Sequence, residues 1–435
     1  MFEVPKEKCF LVGGAVRDSL LGLEQNDHDY TVVGVSEKQM LDWGFSRVGK
    51  DFPVFLDNNG TEFALARTER KTGNGYAGFE TFTENVSLED DLVRRDLTMN
   101  AMAQNWRGEI IDPFGGQKDI RDRVIRHVGV AFSEDPVRVL RVARFAAKYH
   151  HMGFVIHPTT MDLMKSMVKS GEVDHLVPER VWAEFVKVIN TKTPSVFLRV
   201  LHDCGALAKI MPEVDTLYGV PQVALYHPEV DTGTHIEMVL DQACKLAPGN
   251  TAIAFAALAH DLGKGLTPQD ELPKHHNHEA TGVAPVKTLS DRLKVPADCK
   301  ALAISACAYH LKAHRSLESR PGTLYDLIMD VGLQNSKKFD EFLLVCEADK
   351  RGRLGMEDGD YPQGDFLRAV FQACKQVSGQ PFADLPVKTI IEKIRTARIK
   401  AIHIRSSEWK KLQKNITPTE PEAQAKTVIK KVSLT

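Results

Sequence analysis

The chain has 435 residues, a net charge of -2 and an ordinary globular composition, 43% hydrophobic and 26% charged. These values exclude a single small domain, a chain disordered throughout and a protein drawn to polyanions by overall charge; roughly 100–200 residues per domain gives about three domains. Seven scattered cysteines with no Cys-x-x-Cys pair argue against a disulfide framework or a zinc-thiolate site and fit a reducing cytoplasm.

The first apolar run, 9–16, is broken by Gly13-Gly14 and leads into Arg17-Asp18, too short for a signal peptide or a membrane span. Strands are expected at 8–12, 30–33, 61–66 and 109–112, alternating with helical segments. The fold class is α+β: a head over 1–130 with a small mixed or antiparallel sheet, then helices almost throughout. Breaks fall at Pro178, Pro212, Pro221, Pro228 and Pro321-Gly322. They suggest a helical region 131–226, a histidine-rich region 227–335, a further helical region 336–410 and a flexible tail, 411–435, that carries Pro418 and Pro421.

In Phe10-Leu11-Val12-Gly13-Gly14-Ala15-Val16-Arg17-Asp18, a strand ends in two glycines that permit close backbone approach. The following helix start suits a phosphate, and Arg17 adds charge. Asp27 and Asp29, two apart on a strand, point to one side while His28 faces away. Two such carboxylates repel unless a cation lies between them, and Mg2+ with phosphate oxygens in its shell suits the pair. Glu62, inside the strand expected at 61–66, offers a third carboxylate. A Gly-x-x-x-x-Gly-Lys-Ser/Thr phosphate loop is missing, so a P-loop enzyme is not expected.

Downstream stand Arg94-Arg95-Asp96-Leu97-Thr98-Met99-Asn100-Ala101 and Asp135-Pro136-Val137-Arg138-Val139-Leu140-Arg141-Val142-Ala143-Arg144. Asp135 and Arg138, three apart, are neighbours if both lie on a helix. A carboxylate accepts from the exocyclic amine of cytosine or adenine while a guanidinium donates to the adjacent ring nitrogen. Guanine and uracil reverse that polarity, at roughly 1–3 kcal/mol per unsatisfied group. The alternative is an Asp-Pro helix cap with the arginines as solvated surface charges.

Eight of the sixteen histidines lie between His227 and His314. An apolar helix ends in His260-Asp261-Leu262-Gly263-Lys264, with Thr234-His235 upstream and Glu347-Ala348-Asp349 downstream. Imidazoles and carboxylates in one shell suit a divalent transition ion or magnesium that activates water toward phosphate esters. Further on, Lys388, Lys393, Arg395, Arg398, Lys400, Arg405, Lys410, Lys411 and Lys414 face only Glu392 and Glu408, which reads either as a solvated helix face or as a nucleic-acid contact.

With these segments the chain resembles, over about residues 8–410, the polymerase-β-type nucleotidyltransferase superfamily and within it the bacterial CCA-adding enzymes; residues 235–349 resemble the HD phosphohydrolase superfamily. The resemblance implies untemplated addition of CCA to the 3' end of tRNA from CTP and ATP, with release of pyrophosphate. It assigns Mg2+ to Asp27 and Asp29, with Glu62 beside them, and nucleotide contacts to Gly14, Arg17, Arg95 (triphosphate), Asn100 (near the sugar), Asp135 and Arg138 (base), Arg141 and Arg144. The segment 70–78 takes the place of the family's mobile loop, and 131–226 that of its base-reading neck and body.

For the HD region it implies 2',3'-cyclic phosphodiesterase, 2'-nucleotidase and phosphatase activities, often nickel-supported, with ligands His235, His260, Asp261 and Asp349. Lys264, His275, His276, His278 and His310 are candidates for phosphate or a second ion; the histidines among them read equally as polar loop residues. Relatives often carry His-Asp where this chain has His310-Leu311, which weakens the case for a second ion. A monomer is expected, with dimer formation left open. Poly(A) polymerase of the same superfamily, using ATP alone, and a non-catalytic tRNA-binding protein are the competing readings.

Overall fold

The protein is described here from a computed structural model, which covers residues 4–25, 28–48, 54–71 and 79–415. Asp27, the segment 72–78 and residues 416–435 lie outside the described residues. The head contains β1 (Cys9–Val12), β2 (Tyr30–Val32), β3 (Ser46–Val48), β4 (Val54–Leu56), β5 (Glu62–Leu65), β6 (Thr68–Lys71), β7 (Phe79–Phe82), β8 (Ala103–Gln104) and β9 (Ile110–Ile111). Seven of these form one mixed sheet in the order β3-β4-β5-β2-β1-β8-β9, in which only β2 and β5 run parallel; β6 and β7 form a separate antiparallel pair. The four expected strands are present as β1, β2, β5 and β9. The others are two to four residues long, too short to display an alternation.

The sheet separates two faces. Val32, Leu65, Phe55, Val35 and Met40 form a core on one side, where the helix Glu37–Asp42, closed by a Ser36/Gln39 capping box, packs. Beside it Tyr30 stacks on Phe63 at 5.0 Å, and a cleft of about 690 Å³ is lined by Tyr30, Phe63, Trp43, Phe45 and Trp106. On the other side Val12, Leu92, Ala101 and Ala103 pack under the helix Leu88–Val93. Asp29 and Glu62 belong to this second face: Tyr30 pairs with Phe63 in parallel register, so the residues one step earlier stand side by side and point the opposite way. The aromatic cleft is therefore behind the acidic edge, not at it.

From Val137 onward the chain is helical apart from Val155–Ile156, which pairs in parallel with Val124–Ile125. Of the prolines that read as breaks, Pro178, Pro212 and Pro321 act as helix starts, each in a first-turn position where a missing N–H costs nothing, and Pro362 does the same. One continuous hydrophobic core runs from Val16 of the head to Ile402. The helix Ser336–Arg351 packs against Thr232–Leu246 and Thr251–Ala259 within it. The last helix, Val387–Asn415, continues past the tail boundary expected at 411, because no Gly or Pro interrupts the segment before Pro418.

Head and helices are joined at a buried carboxylate. Asp96, 6% exposed, accepts from the Leu97 N–H at 2.8 Å, from Asn100 Nδ2 at 2.9 Å and from Arg141 Nε at 2.6 Å. Burial alone would raise its pKa, but the Arg141 guanidinium and the Asn100 amide hold it at about 2. A carboxyl lowered from 3.8 to about 2 stabilises the fold at neutral pH, and that contribution is lost as pH falls from 4 toward 2. Asp96→Asn is therefore expected to lower unfolding free energy by roughly 2–3 kcal/mol at pH 7. Chemical denaturation at several pH values should show the gap from wild type closing below about pH 4; a gap independent of pH would count against the carboxylate as its source.

Candidate active sites

In the head, the turn after β1 is built on Gly13, whose φ of +67° and ψ of -120° suit only glycine. A Cβ there would sit 2.9 Å from Arg95 Nη1, so the glycine makes room for that guanidinium. The helix Gly14–Leu20 then presents Arg17, which is 6% exposed and donates to Asn100 Oδ1 at 2.6 Å and to Asp18 at 2.8 Å. Asn100 donates its other amide end to Asp96, so it bridges Arg17 to the Asp96–Arg141 pair. Arg17, Arg141 and Arg144 gather over the Phe145 ring at 5.1, 5.7 and 4.3 Å. Asp18, Asp96 and Glu184 pair with them one to one, which lets three like charges share one ring.

Arg95 is held more loosely. Its contacts to Asp91, Thr31 Oγ1 and the Asn100 carbonyl are 3.3, 3.5 and 3.5 Å, and among the described residues its buried Nε has no acceptor. Asp91 is shared with Arg94 at 2.9 Å. Burial opposes its ionisation, yet the two guanidiniums keep its carboxyl below the usual range. Arg94 and Arg95 share Asp91 on the same face as exposed Asp29 and Glu62. The Asp29 carbonyl accepts from the Val12 N–H at 2.9 Å, which ties it beside the glycine turn.

Asp135 lies just before the helix Val137–Tyr149 rather than on it. Its carboxylate accepts from the Val137 N–H at 3.0 Å, a capping contact, and from Arg180 at 3.0 and 3.2 Å. Arg138 donates to the carbonyls of Ala131 and Arg94, both at 2.6 Å. The cap and the arginine pair thus coexist, and the carboxylate's ion-pair partner is Arg180, not Arg138. Arg180 and Glu184, from the helix Pro178–Val188, had no sequence signal because they reach the site from over forty residues away.

Among the helices, Thr251–Ala259 is buried on every side from Ala252 on and delivers His260 and Asp261 into the interior. His235 comes from Thr232–Leu246, His310 and His314 from Ala297–His314, and Asp349 from Ser336–Arg351. His235 Nε2 lies 3.2 Å from Asp349 Oδ1 and 3.8 Å from Asp261 Oδ2; His260 Nε2 lies 3.2 Å from Asp261 Oδ2 and 3.8 Å from Asp349 Oδ1. His278 and His310 face Asp261 Oδ1 at 3.2 and 3.5 Å. In His235, His260, His278 and His310 the Nδ1 atom abuts a backbone carbonyl, so Nδ1–H donates outward and Nε2 points inward.

Burial would raise Asp261 and Asp349, but the surrounding imidazoles with Lys264, and with Arg353, hold both carboxyls well below the usual range. Burial pushes the His310 imidazole down to about 3, which keeps its lone pair available. Among the described residues, His260 Nε2 and Asp261 Oδ1 are buried acceptors without a hydrogen-bond donor. The sets His235, His260, Asp349 and Asp261, His278, His310 each converge within 4.8 Å. Such orphaned acceptors fit a divalent cation.

His275 spends both ring nitrogens on Thr267 and the Pro221 carbonyl, and His276 is exposed; the cluster takes His278 instead, because Gly263 lets the loop close. A Cβ on Gly263 would lie 1.9 Å from the His278 carbonyl oxygen. Lys264 donates to Asp261 and to Gln222 Oε1, both at 2.6 Å. Glu229 and His314 were missed in sequence. Glu229 Oε1 sits 2.9 Å from His235 Nδ1 and 3.0 Å from His227 Nδ1, and His314 Nε2 lies 2.6 Å from Asp349 Oδ2. Only the histidine density hinted at them.

Residues 9–126 match the poly A polymerase head domain, 153–217 the probable RNA and SrmB-binding site of polymerase A, and 232–351 the HD domain. These matches define a nucleotidyltransferase head joined to an HD unit. The chain is 53% identical over 401 residues to the multifunctional CCA protein of Xanthomonas campestris pv. campestris, covering 91% of this chain and 98% of that one. It is 54% identical over 374 residues to that of Hahella chejuensis, covering 85% and 88%. The chain belongs to the multifunctional CCA protein family.

A CCA-adding enzyme in an apo form superposes with a TM-score of 0.64 at 19% identity, covering 97% of this chain and 91% of that one. The Thermotoga maritima CCA-adding enzyme complexed with tRNA superposes at 0.60 and 19%, covering 91% and 87%. These two show the shared fold. Among the described residues no helix is long and apolar enough to cross a membrane.

The two glycines separate the sites experimentally. Gly263→Ala is expected to displace His278, at about 1–3 kcal/mol of overpacking, and to weaken divalent-cation binding at the histidine cluster in equilibrium dialysis without changing CTP affinity. Gly13→Ala is expected to do the reverse, weakening CTP and sparing the cation.

Proposed function

We propose that this protein rebuilds the 3'-terminal CCA of tRNA from CTP and ATP without a nucleic-acid template, and that its HD unit hydrolyses phosphate esters. The observation that carries the first part is the conjunction of an acidic sheet edge, a loosely held Arg95 and the Asp135 carboxylate along one side of the head–neck joint. Relatives above 50% identity that are named multifunctional CCA proteins align with this chain over 88–98% of their own length.

In this reading Asp27, Asp29 and Glu62 hold Mg2+, which supplies charge neutralisation at the α-phosphorus and at the departing pyrophosphate. Arg95 receives the triphosphate, whose oxygens satisfy its open Nε. Asp135 retains room for a base: a carboxylate has about four lone-pair sites, and Val137 with the two Arg180 contacts takes three of them. The remaining site accepts from the exocyclic amine of cytosine or adenine, and Arg138, oriented by two carbonyls, donates to the neighbouring ring nitrogen. Arg17, Asn100, Arg141 and Arg144 act by holding this surface in place. Phosphoryl transfer of this kind needs positioning more than a dedicated base.

His235, His260, Asp261 and Asp349 hold a divalent ion, Ni2+ in this proposal, which supplies an activated water for 2',3'-cyclic phosphodiesterase, 2'-nucleotidase and phosphatase chemistry. The exposed basic residues Lys388, Lys393, Lys400, Lys410 and Lys411 of the last helix are proposed to contact tRNA. A cytoplasmic location suits that substrate. The HD unit and the CCA-named relatives favour this reading over poly(A) synthesis or a non-catalytic tRNA-binding role.

Incubation with end-trimmed tRNA and each labelled nucleotide in turn should give incorporation of C and then A, with neither U nor G. Asp29→Ala should slow addition by at least roughly a hundredfold, since metal stabilisation is worth several kcal/mol. Addition of A alone would favour a poly(A) polymerase. Undiminished addition by the variant would remove the metal assignment. For the HD unit, wild-type protein supplied with Ni2+ should open 2',3'-cyclic AMP; inertness with every divalent ion tried would overturn the second activity.

A further inference from the structure

Two opposite kinds of unsatisfied buried atom meet at the histidine cluster. His260 Nε2 and Asp261 Oδ1 are acceptors lacking a donor, which a cation satisfies. Arg353 Nε is a donor lacking an acceptor, which no cation can satisfy. The Arg353 side chain is 16% exposed, reaches Asp349 Oδ1 only at 3.6 Å and donates no hydrogen bond within the described residues. Of the five N–H donors in a guanidinium's fixed fork, the Arg353 Nε–H is the one buried without an acceptor, and leaving such a donor unmet away from water is costly.

The position of that fork is not accidental to the ligand set. Asp349 Oδ1, the atom it faces, is the one 3.2 Å from His235 Nε2 and 3.8 Å from His260 Nε2. The neighbouring Gly352 carbonyl accepts from His235 Nδ1 at 3.1 Å, which anchors Arg353 beside that ligand. Lys264, the other cation of the cluster, is already engaged by Asp261 and Gln222. An oxyanion bearing several acceptor oxygens, placed against the divalent ion, satisfies both kinds of orphan together.

Resting on the reading of this cluster as a metal-dependent phosphohydrolase site, we infer that Arg353 binds the phosphate group of the HD-site substrate, a phosphomonoester or a cyclic phosphodiester. Its role is to hold the ester against the ion-bearing carboxylates, while Lys264 keeps Asp261 in place.

The test uses full-length Arg353→Gln and Arg353→Lys. With saturating Ni2+, KM for 2',3'-cyclic AMP and for p-nitrophenyl phosphate should rise roughly ten- to a hundredfold in Arg353→Gln, the cost of a charged hydrogen bond. Affinity of the Ni2+-loaded protein for inorganic phosphate, read by titration calorimetry, should fall by a similar factor, with partial recovery in Arg353→Lys. Ni2+ binding and CCA addition should stay at wild-type levels. Unchanged KM and phosphate affinity would overturn the inference, as would losses that track weakened Ni2+ binding. Wild-type protein that cleaves neither ester would instead overturn the phosphohydrolase reading itself, and is recognised by the wild type's own inactivity.

Discussion

The carboxylate of Asp96 is where the head becomes part of the helical body. It is buried, ionised and shared between the Asn100 amide of the head and the Arg141 guanidinium of the first long helix. Removing one partner leaves the other charge without its counter-ion, at the roughly 2–3 kcal/mol expected for Asp96→Asn. Through Asn100 the same carboxylate orients Arg17, and through Arg141 it fixes the helix that follows Asp135. The sheet's acidic edge and the base-reading residues proposed for the neck keep their mutual placement because this node ties them together.

The arginines of the molecule divide by how completely they are satisfied. Arg17, Arg141 and Arg144 each have a carboxylate at 2.8 Å or less and serve the architecture. Among the described residues Arg95, Arg353 and Arg398 each retain a buried Nε without an acceptor; Arg95 does so on the sheet face that exposes Asp29 and Glu62, and Arg353 beside Asp349 of the histidine cluster. The head and the HD unit have unrelated folds, yet the first two of these guanidiniums stand at the two sites proposed to act on phosphates. Such an arrangement suits the proposed chemistry, since its substrates present anionic oxygens to a metal on one side and to hydrogen-bond donors on the other.

The histidine–carboxylate cluster among the helices illustrates a different constraint. Five helices or helix ends contribute to it, and the inward Nε2 atoms are set by outward Nδ1 contacts to backbone carbonyls. Ligand orientation is thus a property of the packed helices rather than of the ligands alone. Gly263 shows how closely the chain must approach: the carbonyl of His278 occupies the space any side chain there would need.

Much was legible in the residues before any coordinates. The glycine pair after an apolar strand, the acidic residues at 27 and 29, the Arg-Arg-Asp block and the His-Asp pair at the end of an apolar helix are local patterns, and local patterns survive in one dimension. They determined the α+β head and the helical remainder, and they pointed to most of the candidate site residues. Only the tertiary structure decided that Asp135 pairs with Arg180, that His278 displaces His275 and His276 from the cluster, and that Glu229, His314 and Arg353 border it. Those partners come together from distant segments, and their choice depends on how helices pack. No spacing along the chain encodes which buried donor will be left without an acceptor.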